Sequence, residues 1–370
     1  MNAKIARLLF VLFLACFVGC KKKQNKVLNA IKAESKLFYY QGRTDVLNDS
    51  TVALISPGAY VVSTFLGNSC EVFLKGEFEP YNYVSLELDG KYLGRIKIES
   101  DSIRPYLINV STTNKEHTLK IFKETEASNG TVLFSGLKAE KVVPYKLTTT
   151  NYIEFIGNSI TCGAASDGSV IPCESAAYFD HQNVYYAYGP TVSRALNIDF
   201  KLSSVSGYGI YRNWNDENIE EPNLPQVYEN LYLNTDNSKK NNFDHIPDVV
   251  SICLGTNDLS VGDGVKPRLP FNKEKFISNY IKFVKTVYIY YPKTQIVLLN
   301  SPMVGGEMNE LLATCLEEVQ FYFSENMKKQ ILLFIFDAVY NGGCLGHPSV
   351  SEHQKIAEKL TPFLKNIKNN

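Results

Sequence analysis

The stretch Ile153-Glu154-Phe155-Ile156-Gly157-Asn158-Ser159-Ile160-Thr161-Cys162-Gly163 decides how this chain is read. Its opening residues make a short apolar run of strand length, and Gly157-Asn158-Ser159 ends that run in a turn. A serine just past the C-terminal end of a parallel strand stands at the edge where open α/β sheets bind ligands. Its hydroxyl becomes an acyl-transfer nucleophile when a base sits beside it. The same serine would also serve as an ordinary helix N-cap, which needs no chemistry at all. Taken alone, the segment leaves both readings open.

Working outward, apolar strands at Ile153–Ile156, Val249–Leu254, Ile296–Leu299 and Ile331–Phe336 alternate with helical patterns at Phe276–Tyr288, Asn309–Phe323 and Ser351–Ile367. Strand-helix alternation predicts a parallel, flavodoxin-like sheet with helices on both faces. Arg212–Pro247, rich in Asn, Asp, Glu and Pro, is expected to be a long surface loop with one short helix near Val227–Leu231. Between Lys36 and Thr149 the period changes to short alternations such as Cys70–Leu74, Tyr83–Leu88 and Thr118–Ile121. Asp89-Gly90, between Leu88 and Tyr92, signals a two-residue hairpin. This half is expected to be an all-β sandwich of jelly-roll type. A chain of 370 residues has room for both domains, over 36–149 and 150–370.

The N-terminus carries Lys4 and Arg7, then the apolar run Leu8–Val18, then Gly19-Cys20. That is the pattern of an export signal, with an apolar run too short to span a bilayer comfortably. Gly19-Cys20 resembles the end of a bacterial lipobox, although Phe17 stands where leucine is usual. On this reading 1–19 is the signal peptide, Cys20 is lipidated, and 20–35 is a basic tether with Lys21, Lys22, Lys23 and Lys26 beside the membrane. Ordinary secretion and an uncleaved anchor are the alternatives. The expected location is the bacterial cell envelope, periplasmic or cell-surface. Lys+Arg and Asp+Glu balance at 38 each, which argues against nucleic acid as a partner. Export would allow disulfides, and Cys162 and Cys173, flanking a polar loop after Ser159, are candidates for a bridge. Cys253, inside a strand, and Cys315, on the stripe Leu311, Leu312, Cys315, Leu316, Val319, read as core residues.

Three further loops fall at strand-to-helix junctions: Ser206-Gly207-Tyr208-Gly209, Gly255-Thr256-Asn257-Asp258 and His347-Pro348. Each alone is an ordinary turn. Together with Gly157-Asn158-Ser159-Ile160 they resemble the four sequence blocks of the SGNH (GDSL-type) hydrolases, with Asn158 where many members have Asp. The two-domain layout is similar to that of the family 2 carbohydrate esterases. Tyr40-Gln41-Gly42-Arg43, Ser56-Pro57-Gly58-Ala59 and Leu88-Asp89-Gly90 support that likeness.

The resemblance implies roles. Ser159 would be the nucleophile and His347 its general base. The backbone N–H groups of Ser159 and Gly207 and the side-chain amide of Asn257 would form the oxyanion hole. Most SGNH enzymes orient the histidine with an Asp three residues upstream; here that position is Cys344. The family 2 likeness implies a main-chain carbonyl instead, and so a Ser-His dyad, with Asp258 and Asp337 as distant substitutes. Trp214 and Tyr208 are candidate substrate contacts, because aromatic rings offer flat apolar area to a sugar face. Trp214 would equally suit packing of its own loop. Tyr178, Tyr185, Tyr186 and Tyr188 read as core and rim residues. The expectation is a monomeric serine esterase removing O-acetyl groups from plant-type or other polysaccharides, without metal or organic cofactor. The alternative is a non-catalytic carbohydrate-binding lipoprotein on the same fold.

Overall fold

A computed structural model describes residues 28–110 and 116–368. The expected signal segment, 1–19, and Cys20 lie outside the described residues. The first domain is an antiparallel β-sandwich built around the long strand Tyr60–Gly76, which pairs with Val132–Val143 and with Glu116–Lys123. Val61, Phe65, Val72 and Leu74 point into its core with Leu119, Ile121 and Phe134. The Asp89-Gly90 turn joins strands Tyr81–Leu88 and Lys91–Glu99, with φ of 51° and 75°. Both values lie in the left-handed region that such a hairpin requires. The domain begins earlier than residue 36. Asn29–Ile31, assigned above to the tether, pairs antiparallel with Leu137–Ala139. Three residues, Asn29 and Ala30 exposed and Ile31 half-buried, are too few to show a period.

The second domain holds five parallel strands: β1 (Tyr152–Gly157), β2 (Asp199–Ser204), β3 (Val249–Cys253), β4 (Gln295–Leu299) and β5 (Leu332–Phe334). Their spatial order is 2-1-3-4-5, the flavodoxin-like order, so the direction of winding reverses beside β1. The main helices are α1 (Ser159–Cys162), α2 (Tyr188–Leu196), α3 (Lys273–Tyr290), α4 (Gly306–Met327) and α5 (Val350–Lys368). Alternate strand residues serve opposite faces. Ile156, Ile252 and Leu298 meet Phe283 and Val287 of α3 and Leu316 and Val319 of α4. Phe155, Val297 and Leu299 meet Val192 of α2 and Leu360 and Leu364 of α5. Cys253 and Cys315 are buried in these cores.

Strand β2 is implied in the sequence only by the glycine loop at its end, and no apolar run gives its bounds. Its Lys201, Ser203 and Ser204 mask the apolar signal, yet all three are buried. Ser203 donates to Glu154 Oε1 at 2.6 Å, and Lys201 Nζ lies 3.6 Å from the same oxygen. The short helix in the long loop falls at Leu224–Val227, just ahead of its expected place.

Arg43 joins the domains through this polar patch. The fully buried guanidinium donates to the carbonyls of Asn230 and Tyr228 at 2.6 and 2.8 Å and to Ser203 Oγ at 3.0 Å. Burial depresses its pKa, and Glu154 chiefly opposes that shift. Gly42 beside it has φ of +89°, and a Cβ there would come within 2.8 Å of Ala59 Cα. Removing one member of a buried ionic network strands its partners and costs about 3–5 kcal/mol. Arg43→Ala should therefore lower the unfolding free energy by that much, read from urea titrations followed by circular dichroism. A change under about 1 kcal/mol would mean that water repairs the site.

Candidate active site

Gly157 ends β1 because nothing larger fits: a Cβ there would fall 2.0 Å from Thr161 Oγ1. Asn158 then caps α1, its Oδ1 accepting the Ile160 N–H at 3.3 Å. The cap is thus Asn158, which frees the Ser159 hydroxyl from that duty. Ser159 Oγ lies 3.0 Å from His347 Nε2. Both border a cleft of about 680 Å³ together with Ser206, Gly207, Asn257 and Trp214.

The donors around Ser159 converge from three strand ends. Gly207, after β2, has φ of +78°, and its carbonyl accepts the Trp214 N–H at 2.7 Å. Among the described residues nothing engages the N–H groups of Ser159 or Gly207. Asn257, after β3, donates one amide hydrogen to the Tyr208 carbonyl at 2.8 Å, which fixes the amide plane and leaves the second hydrogen unclaimed. Asp258 beside it accepts the N–H groups of Ile210 and Tyr211 at 2.9 Å each, tying the second and third loops together. Burial raises its pKa to about 6 against these hydrogen bonds.

His347 is held by a stitched loop. The Cys344 N–H donates to Ala165 O at 2.8 Å, Gly343 N–H to His347 O at 2.7 Å, and Val350 N–H to Ser166 O at 3.0 Å. Gly343 packs so tightly that a Cβ would meet the carbonyls of Ala165 and His347 at 2.9 Å. A disulfide between Cys173 and Cys344 closes the same loop. The Cys162–Cys173 pairing suggested by proximity in sequence is therefore wrong. The Cys162 side chain turns inward from α1 and donates to Ser204 Oγ at 3.1 Å, whereas Cys173 reaches out to the histidine loop.

Among the described residues no carboxylate takes the other imidazole nitrogen. Nδ1 is buried without a fully formed hydrogen bond, and the backbone carbonyls of Leu345 and Cys344 are the groups that favour its charged form. Burial outweighs them and depresses the His347 pKa. The two candidate substitutes are occupied elsewhere: Asp258 by the Ile210–Tyr211 backbone, and Asp337 by Lys359 at the surface. Leu345, at φ of 53°, is a left-handed residue two positions before the histidine, a backbone strain of the kind that clusters at functional loops.

The aromatic candidates divide. Trp214 is 46% exposed on the cleft wall, where it can meet a ligand. Tyr208 is a correction: it is only 6% exposed and packs into the core with Val205 and Ile210, and only its carbonyl serves the site. Tyr178, read from sequence as core or rim, lines the cleft. Its ring stands edge-on 6.0 Å from His347, and its hydroxyl is 3.5 Å from Ser206 Oγ. No sequence periodicity marks it, because it sits in an irregular segment positioned by the sandwich. Tyr83 donates to Asp180 at 2.9 Å, and Arg95 donates to the carbonyls of Gln182 and Asp180. Among the described residues no group of three or more His, Cys, Asp or Glu side chains is arranged to hold a metal.

Comparison with known proteins agrees with this layout. The family model described as "Carbohydrate esterase 2 N-terminal" matches residues 40–144. An acetylxylan esterase / glucomannan deacetylase of Cellvibrio japonicus is 28% identical over 259 residues, covering 68% of this chain and 70% of that protein. The cellulase/esterase CelE of Acetivibrio thermocellus is 27% identical over 336 residues; these make up 88% of this chain but only 39% of that longer protein. A family two carbohydrate esterase from Clostridium thermocellum, solved in complex with cellohexaose, superposes with a TM-score of 0.77 at 27% identity, over 89% of this chain and 98% of that one. A sandwich of the carbohydrate esterase 2 type, joined to a 2-1-3-4-5 sheet carrying Ser159, Gly207, Asn257 and His347 on the loops after β1, β2, β3 and β5, makes this chain similar to the family 2 carbohydrate esterases.

Proposed function

We propose that this protein is a serine esterase that removes O-acetyl groups from polysaccharides, using Ser159 and His347 as a dyad. The observation that carries the reading is the 3.0 Å contact between Ser159 Oγ and His347 Nε2 inside the shared cleft. The acetylxylan esterase relative and the cellohexaose complex of the structural relative support a glycan ester as substrate, and the exposed face of Trp214 supplies a surface for a sugar ring.

The chemistry follows from the positions. Ser159 Oγ attacks the acetyl carbonyl while His347 Nε2 takes its proton. The carbonyl oxygen becomes an oxyanion facing the N–H groups of Ser159 and Gly207 and the free Asn257 hydrogen. As the tetrahedral intermediate collapses, His347 returns the proton to the departing sugar oxygen. Water, deprotonated by His347, then attacks the acetyl-serine, and acetate leaves as Ser159 regains its proton. Backbone carbonyls in place of a carboxylate stabilise the transient imidazolium less, and burial of the ring favours the neutral imidazole at rest.

The chain is also proposed to be exported and lipid-anchored at Cys20. The Gly19-Cys20 pattern supports this, and the Cys173–Cys344 bridge suits an oxidising compartment.

Hydrolysis of 4-nitrophenyl acetate and acetate release from acetylated xylan and glucomannan test the reading. Ser159→Ala and His347→Ala should each lower kcat by about 10³-fold or more, and Asn257→Ala by about 10²–10³-fold. Asp337→Asn should leave turnover within about twofold, since its carboxylate faces solvent and Lys359. Full activity in Ser159→Ala would mean that another residue is the nucleophile, and no hydrolysis of any acetyl ester by the wild type would leave the carbohydrate-binding alternative.

The pH profile supplies an independent check. The base works as neutral imidazole, so kcat/KM falls as acid protonates it. Because burial lowers the His347 pKa, the acidic limb should have its midpoint below the ordinary histidine value of 6.5. A midpoint at or above 6.5 would point to a carboxylate partner for the ring.

A further inference from the structure

The oxyanion loop is gripped by a residue that comes from the other domain. Glu126, at the end of the sandwich segment Lys123–Glu126, is 4% exposed. Its Oε2 accepts the Ser206 N–H at 2.7 Å, and its Oε1 accepts the Ser206 hydroxyl in a short hydrogen bond. On the far side, the Gly207 carbonyl is held by the Trp214 N–H at 2.7 Å. The Ser206–Gly207 peptide, whose N–H belongs to Gly207, is thus fixed at both ends and by two domains. We propose that Glu126 is a positioning residue for the esterase reaction: by binding Ser206 through both carboxylate oxygens, it sets the Gly207 N–H at the place where the oxyanion forms. The inference rests on the esterase reading above, and it makes the sandwich part of the active site.

A carboxylate so near an oxyanion is electrostatically unfavourable unless it is balanced and tied down. Both conditions are met. Lys123, fully buried in the same turn, donates to the carbonyls of Glu126 and Thr125 at 2.7 and 2.6 Å. Burial pushes the Glu126 pKa up; the two hydrogen bonds from Ser206 oppose it most, and Lys123, whose own pKa burial draws down to about 7, opposes it less. The cost of burying Glu126 is not needed for folding the sandwich, because its carboxylate makes its hydrogen bonds to the second domain's loop. Glycine at 207, with φ of +78° and only the Trp214 Cβ within 4 Å of where its own Cβ would be, is an unconfined residue that outside contacts must hold. A displacement of about 1 Å in such a donor can cost about 10²-fold in rate.

The test compares wild type, Glu126→Gln, Glu126→Ala and Ser206→Ala on 4-nitrophenyl acetate, with active sites counted by an organophosphonate that labels Ser159. Gln keeps an acceptor for the Ser206 N–H, so partial function should be retained. The expected order of kcat per titrated site is wild type, then Gln, then Ala. The Ala variant should be about 10–100-fold down, with KM within about twofold, because the lost contact acts only in the transition state. Glu126→Ala combined with Ser206→Ala should cost no more than the larger single change, since both act through one contact. A fall in melting temperature with unchanged kcat per titrated site would make Glu126 merely structural and overturn the proposal. A rise in kcat for Glu126→Gln would also overturn it, showing that the carboxylate's charge outweighs its placement. If Glu126→Ala does not fold, the Gln and Ser206 variants decide by the same criteria. Absence of Ser159-dependent hydrolysis in the wild type would instead sink the esterase reading, and this inference with it.

Discussion

The contact between Ser159 and His347 joins residues 188 apart in sequence, and the rest of the structure can be understood as the means of holding it. Neither side chain is fixed by its own element alone. Ser159 stands on one turn of helix behind β1, and His347 sits in an irregular loop ahead of α5. What registers them is the segment between Ala165 and Cys173, which follows the serine and binds the histidine loop twice through backbone hydrogen bonds and once through a disulfide. The Cys344 end of that disulfide occupies the position where most SGNH enzymes carry the orienting aspartate. A covalent tether and backbone carbonyls thereby restrict the ring in place of a charged partner. They fix position but contribute less stabilisation to the imidazolium.

A similar division of labour runs between the domains. The sandwich presses Tyr83 and Arg95 onto the segment that carries Tyr178, buries Arg43 under β2, and extends Glu126 to Ser206. Apolar side chains from both domains share the two cores that flank the parallel sheet: Tyr60 and Phe122 pack with Phe200, and Ile55 and Leu133 join the cluster around Ile252. An interface with apolar area on both faces and a buried guanidinium between them resists hinge motion, so the cleft is expected to be preformed.

Much of this was legible in the sequence wherever apolar periodicity carried the information. The strand before Ser159, the helices around Phe283 and Leu316, and the Asp89-Gly90 hairpin follow from local pattern. The four candidate loops were legible as a set, at strand ends and through their resemblance to the SGNH sequence blocks, since each alone is an ordinary turn. What escaped is what long-range contact decides. Strand β2 hid because Lys201 and Ser203 are polar, and only Glu154 and Arg43 across the interface make their burial tolerable. Cys173 found Cys344, 171 residues away, in preference to its sequence neighbour Cys162. Tyr208 looked like a ligand contact from its place beside Gly207, yet the loop turns its ring inward and offers only its carbonyl. Glu126 carries no local signal at all, since its partner lies 80 residues downstream.

The central claim is that Ser159 carries the acetyl group between the two half-reactions. It is tested most directly by acid-quenching the protein during turnover of 4-nitrophenyl acetate and mapping the acetylated peptide by mass spectrometry. The account predicts one acetyl group per molecule, on the Ser159 hydroxyl. Rapid turnover with Ser159 unmodified and the acetyl group on another residue would contradict it.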